Sequence, residues 1–150
     1  MGKMMKKLSI LMITVLLSIT TAHAEMTAEQ LVASKTKADM TYRQLMEILG
    51  SASSMMHEGI IRENQQMVQE ASKIIVGHPA PKHKPWTIMK KEDQKGFKKS
   101  LKFYNKDLDT HAERAAMHAA KGDWQEARKA SNDLMNACTT CHAMWRTKVK

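Results

Sequence analysis

Apolar residues in this chain recur every third or fourth position over four long stretches, and they show no sustained alternation of period two. Steps of three and four return to one face of an α-helix, so the pattern predicts four amphipathic helices and almost no sheet. The first opens at "TAEQ", where Thr27 and Gln30 have capping-box spacing. It continues through Leu31, Ala38, Tyr42, Leu45, Leu49, Ala52, Met56 and Ile60, with Gly59 and "REN" marking the turn. The second, over about 64–76, carries Met67, Ala71, Ile74 and Ile75 inward and stops at Gly77.

Residues 77–91, "GHPAPKHKPWTIMKK", hold all three prolines and predict a long crossover loop rather than helix. A third helix follows over about 92–120, with Phe97, Leu101, Tyr104, Leu108, Ala112, Ala115 and Ala119 on one face. Gly122 ends it. Asp123 then caps a fourth, with Trp124, Ala127, Leu134, Cys138, Cys141 and Trp145 on or near one face. Four such helices with two short connections and one long one predict an all-α fold, an antiparallel up-down-up-down four-helix bundle. Many inward positions are alanine or methionine. Either the helices pack closely or a bulky apolar group fills the space that alanines leave.

The N-terminus reads differently. "MGKMMKK" is basic, "LSILMITVLLSITT" is apolar, and "AHA" at 22–24 has the small residues of a cleavage site. Residues 1–24 are therefore expected to be a cleaved secretory signal peptide, the apolar run being short for a membrane span. The remaining residues, 25–150, suffice for one domain. They carry 21 Lys and Arg against 15 acids, scattered enough along the sequence to read as a solvated surface with a weak preference for acidic partners. Nucleic-acid binding gains no support from this pattern. No paired catalytic carboxylates, nucleophile–base pair or phosphate-cradling loop is evident, so an enzyme is not expected.

Both cysteines lie in "NACTTCHAMWR", residues 136–146. C-x-x-C serves dithiol redox chemistry, zinc binding and covalent haem attachment. Zinc takes about four ligands, and this chain has one cysteine pair, with His111 and His118 lacking zinc-finger spacing. Redox dithiols sit at helix N-termini, whereas this pair is fifteen residues past its helix cap. Haem attachment fits better. Residues three apart share a helix face, so Cys138 and Cys141 can reach the two vinyl groups of one porphyrin. His142, next in sequence, is then the proximal iron ligand, and C-x-x-C-H is the c-type signature.

A helical chain with "CTTCH" in its last helix, followed by "AMWR", resembles the class II c-type cytochromes, the cytochrome c′ and cytochrome c-556 family. "YRQ" in the first helix and "HP" closing the second extend the likeness over residues 25–150. The resemblance implies one covalently attached haem c, location in the periplasm and a function decided at the distal face. A methionine there gives His–Met iron suited to electron transport. An open apolar face gives a five-coordinate site that binds nitric oxide or carbon monoxide.

Among ten methionines in 25–150, the family's distal position falls on Met46, in "YRQLME". Met40, Met56 or an open site are the alternatives. Arg43 and Arg146 are candidate contacts for the haem propionates, against the reading of solvated arginines, and Trp145 is expected to pack beside the haem. "MMH" at 55–57, His78 and His83 read as surface or loop residues rather than a copper site. The expected role is single-electron transfer between redox partner proteins, some with acidic docking surfaces. The family resemblance also permits a homodimer through the first two helices.

Overall fold

The computed structural model describes residues 25–150; the expected signal peptide, 1–24, lies outside the described residues. The fold is all-α in class. Five helices, α1 (Ala28–Ser34), α2 (Tyr42–Ile61), α3 (Gln65–Val76), α4 (Gln94–Ala120) and α5 (Trp124–Trp145), carry most of the chain. Two-residue strands β1 (Lys37–Ala38) and β2 (Ala80–Pro81) pair in parallel, and a 3₁₀ turn spans Pro85–Ile88. No described helix is long and apolar enough to cross a membrane.

The first predicted helix is broken. Thr27 caps α1 as expected, but α1 ends at Ser34, and Thr41 starts α2 with a second complete capping box through Gln44. Each box satisfies two backbone donors at a helix start, so Thr41 offers a second start seven residues after α1 stops. The intervening chain uses its backbone groups elsewhere: Ala80 N–H donates to the Thr36 carbonyl and Lys82 N–H to the Ala38 carbonyl. Residues 37–38 are thereby stitched to the crossover loop, which an uninterrupted helix forbids.

The other helices lie close to their predicted bounds. The α2–α3 turn differs in its chemistry. Gly59 lies inside α2, and the left-handed residue is Glu63, at φ 51°. Gly59 serves close approach instead: a Cβ there would stand 2.9 Å from Val68 Cγ2 and 3.0 Å from the Val68 nitrogen. Val68, not Ile74, takes the fully buried position on α3, and Ile74 is 40% exposed.

α2 packs on α3, α3 on α4, α4 on α5 and α5 back on α2. The core between them divides along the helix axes. In one half, Ala52, Ala71, Ala112, Ala115, Ala119, Ala127 and Ala130 surround Met56, Val68, Ile75 and Leu134. Small residues on facing helices let the backbones approach, so dispersion over many close contacts compensates for the little area each alanine buries. At the far end a second cluster forms from Ala28 of α1, Trp86 and Met89 of the crossover, and Phe97 of α4. Between the two clusters lies a cavity.

Candidate functional site

The cavity measures about 350 Å³ and is walled mainly by apolar side chains, among them Leu31, Leu45, Leu49, Leu101 and Leu108. Four of the chemically distinctive residues singled out in the sequence also line it: Cys138, Cys141 and His142 from α5, and Met46 from α2. The α5 helix explains the first three. Asp123 caps its start by accepting from the Glu126 N–H, and Ala127, Ala130, Ser131, Leu134 and Ala137 form its buried stripe. Continuing that stripe by three and four residues brings Cys138 and Cys141 to the edge of the core, half-buried, with His142 beside them and exposed. On α2, Leu45 is buried and Met46, one residue on, is half-buried. Met40 and Met56 are not among the cavity's lining residues; Met56 is fully buried in the alanine-rich half.

The other sequence candidates lie outside the cavity lining. Arg43 is exposed on the outside of α2, its Nε 3.2 Å from Glu47 Oε1. Arg146 is exposed just past the end of α5. Trp145 packs edge-to-face on Phe97, ring centroids 5.5 Å apart, in the second cluster. Its ring rests on Gly96, where a Cβ would meet the indole at 2.9 Å.

The electrostatics of the thiols discriminate between chemistries. Burial pushes the Cys138 thiol up. It raises Cys141 to about 11, with charge on Cys138 adding to the effect. A redox dithiol is activated by a lowered pKa at a helix N-terminus. Here the pair lies toward the C-terminal end of α5, where the unpartnered carbonyls of the helix disfavour a thiolate. Among the described residues no three His, Cys, Asp or Glu side chains converge as a metal-binding group.

An apolar chamber bordered by two neutral thiols, an imidazole and a thioether matches a covalently held haem in its donor set. The thiols would supply thioether bonds, and an imidazole and a thioether sulfur are both ligands that haem iron takes. Ser53 also lines the chamber, and its Oγ is buried without a hydrogen-bond partner among the described residues. Compared with family models, curated proteins and solved structures, the chain matches none. The site's chemistry must therefore be argued from its own residues.

A polar wall went unread in the sequence. His78, a loop residue by its pattern, lines the cavity with Lys35 and Asn105. The His78 ring places Nδ1 3.0 Å from the Pro79 carbonyl and Nε2 3.1 Å from Asn105 Oδ1, while Asn105 Nδ2 donates to Asp109 at 2.8 Å. Lys35 donates to the Val76 carbonyl at 3.1 Å. Burial raises the Asp109 carboxyl and lowers the Lys35 ammonium, and each opposes the other's shift by its charge. The signal for this wall was the second capping box at Thr41: it starts a separate α2, and Lys35, at the end of α1, turns toward the last carbonyl of α3.

Proposed function

We propose that this chain is an exported monohaem c-type cytochrome, similar to the cytochrome c′ and cytochrome c-556 group. Its four long helices would form an antiparallel up-down-up-down bundle. Its role is to carry single electrons between partner proteins in the periplasm rather than to catalyse a reaction. One observation carries the reading: a single apolar cavity is bordered by Cys138, Cys141 and His142 of one helix and by Met46 of another.

Cys138 and Cys141 would hold haem c as thioethers, with His142 the proximal ligand and Met46 the distal one. The bound group supplies reversible one-electron chemistry at its iron. The chain contributes the rest. Leu45, Leu49, Leu101 and Leu108 exclude water from the chamber. A low local dielectric disfavours added charge, so the wall residues influence the potential at which an electron is held. The alanine-packed half anchors α2 and α5 against each other, which limits movement of Met46 relative to His142.

The first test is extraction of the purified exported protein with acidified organic solvent; haem should stay with the polypeptide. Loss of haem to the solvent ends the covalent assignment. The second is the ferric absorption spectrum, which should be low-spin with a far-red methionine-to-iron charge-transfer band that Met46→Ala removes. A high-spin spectrum that shifts with nitric oxide or carbon monoxide would instead identify an open distal face.

A further inference from the structure

Residues 82–106 contain nine lysines and only two acids, a concentration that the overall charge conceals. The structure folds most of this segment into the first half of α4 and the crossover loop, at the cavity end of the molecule. On α4, Lys99, Lys102, Phe103 and Lys106 follow at spacings of three and four and line one surface groove, three lysines against two acids, Glu25 and Asp107. Lys99 and Lys106 are exposed and make no ion pair among the described residues, while Lys102 reaches Glu25 at 3.2 Å.

Phe103 stands in the middle of these lysines and is 62% exposed. One exposed phenylalanine is ordinary on a protein surface. This one has two connections inward. It stacks edge-to-face on Tyr104, ring centroids 5.1 Å apart, and Tyr104 lines the cavity that holds Cys138 and Cys141. Phe103 and Tyr104 also share a second groove with Asn136, Ala137 and Thr140 of α5, where Asp107 and Asp133 add acids, and Thr140 lies between the two cysteines in sequence. The aromatic pair thus spans from solvent to the wall of the site, next to the attachment motif.

We propose that Phe103, with Lys99, Lys102 and Lys106 around it, is the docking surface for a redox partner protein whose own contact face is acidic. The inference rests on the electron-carrier reading for the identity of the partner. An apolar centre with a charged rim is how transient complexes combine residence with steering: desolvation of the aromatic holds the complex, and the rim charges raise the encounter rate. Docking here places the partner against the Phe103–Tyr104 pair, whose inner ring lines the cavity.

The test is a titration of isotope-labelled holoprotein, in the reduced state, with an acidic plant-type ferredoxin at low ionic strength, followed by amide chemical shifts. Shifts should centre on Phe103, Thr140 and the flanking lysines and fade as salt shortens the screening length. Lys99→Glu with Lys106→Glu should weaken binding about tenfold, and Phe103→Ser about fivefold. Lys73→Glu with Lys121→Glu, on exposed positions of α3 and the α4–α5 turn, changes net charge equally and should leave affinity within about twofold. Equal weakening by the two charge-reversal pairs overturns the proposal, because net charge alone would then recruit the partner. Shifts centred elsewhere overturn it, as does association with phosphatidylserine vesicles without any response to ferredoxin. The readout is binding rather than electron transfer, so absence of covalent haem would refute the proposed function and the redox identity of the partner, while the titration alone decides whether an acidic protein docks at Phe103.

Discussion

Along α4, the inward residues of the C-terminal half are Ala112, Ala115 and Ala119, fully buried, whereas the N-terminal half presents Leu101, Tyr104 and Leu108. On packing grounds alone the larger side chains should leave less space. The reverse holds: the alanines stand in a closed core and the larger residues stand around a cavity of about 350 Å³. Side-chain bulk therefore does not set the void. At the closed end small residues let the backbones approach, Gly59 leaving no room for a Cβ beside Val68, while at the other end Tyr104, Leu108 and the thiols stand around open space. Protein interiors are close-packed, so a large apolar chamber walled by large residues reads as a binding site rather than a packing defect.

The strongest way to break this comparison is to remove the proposed attachment points. Replacing Cys138 and Cys141 with Ala should abolish covalent haem and cost several kcal/mol of stability, on the order of what a tightly bound group adds to the native state. The loss should be uneven. Hydrogen exchange measured by mass spectrometry should quicken at least tenfold or so more in 42–53 and 134–142 than in 112–130. A uniform loss would mean that the two halves are one cooperative unit and that the cavity is not where the stabilisation enters.

How much of this was legible beforehand follows from the same division. The closed half was readable, because Ala112, Ala115, Ala119 and Ala127 repeat with helical spacing and need only a neighbour. The cysteine motif was readable too, since both thiols and the imidazole are local in sequence. The break at 35–41 was not, because Leu31, Ala38 and Tyr42 keep helical spacing across residues that are not helical. The signal against it was Thr41 with Gln44, a second cap inside an apparently continuous helix. His78 and the Phe103–Tyr104 pair depend on which loop closes over which helix, a tertiary choice that no local pattern encodes. Trp145 keeps the face expected of it, and its packing on Gly96 in the second cluster is a tertiary contact that its own helix does not encode.

Two glycines on α2 sharpen the contrast further. Gly59 faces Val68 so closely that Gly59→Ala should cost about 2 kcal/mol through overpacking against backbone. Gly50 borders the cavity, and a Cβ there meets nothing within 4 Å. Gly50→Ala should then stabilise the helix by roughly 0.5–1 kcal/mol, the propensity gain alone. Urea unfolding with matched m-values measures both. Equal effects at the two sites would remove the distinction between close-packed and open ends.

The thiols give a comparison by pH. In the haem-free chain, Cys141, held near 11, should alkylate at pH 8 about 100-fold more slowly than an unperturbed thiol, since its thiolate fraction is about 100-fold lower. The rate should climb about tenfold per pH unit toward 11. Folding favours the neutral form, so this contribution to stability is complete below the unfolded value near 9 and disappears as pH rises through about 11. Rapid labelling at neutral pH by the folded haem-free chain would point back to an activated dithiol.

The smallest expected effect concerns Ser53, whose hydroxyl is buried at the cavity wall with no partner among the described residues. A buried polar group without a hydrogen bond carries a desolvation cost and returns nothing. In the haem-free chain Ser53→Ala should accordingly leave stability unchanged or raise it by about 1 kcal/mol, judged by the urea midpoint. In the closed half a side chain change of similar size has no such latitude, because every atom there already touches a neighbour. A clear destabilisation by Ser53→Ala would show that the hydroxyl is satisfied by water held in the chamber. The cavity would then be wet at this wall, and the leucine-lined side alone would remain as its dry surface.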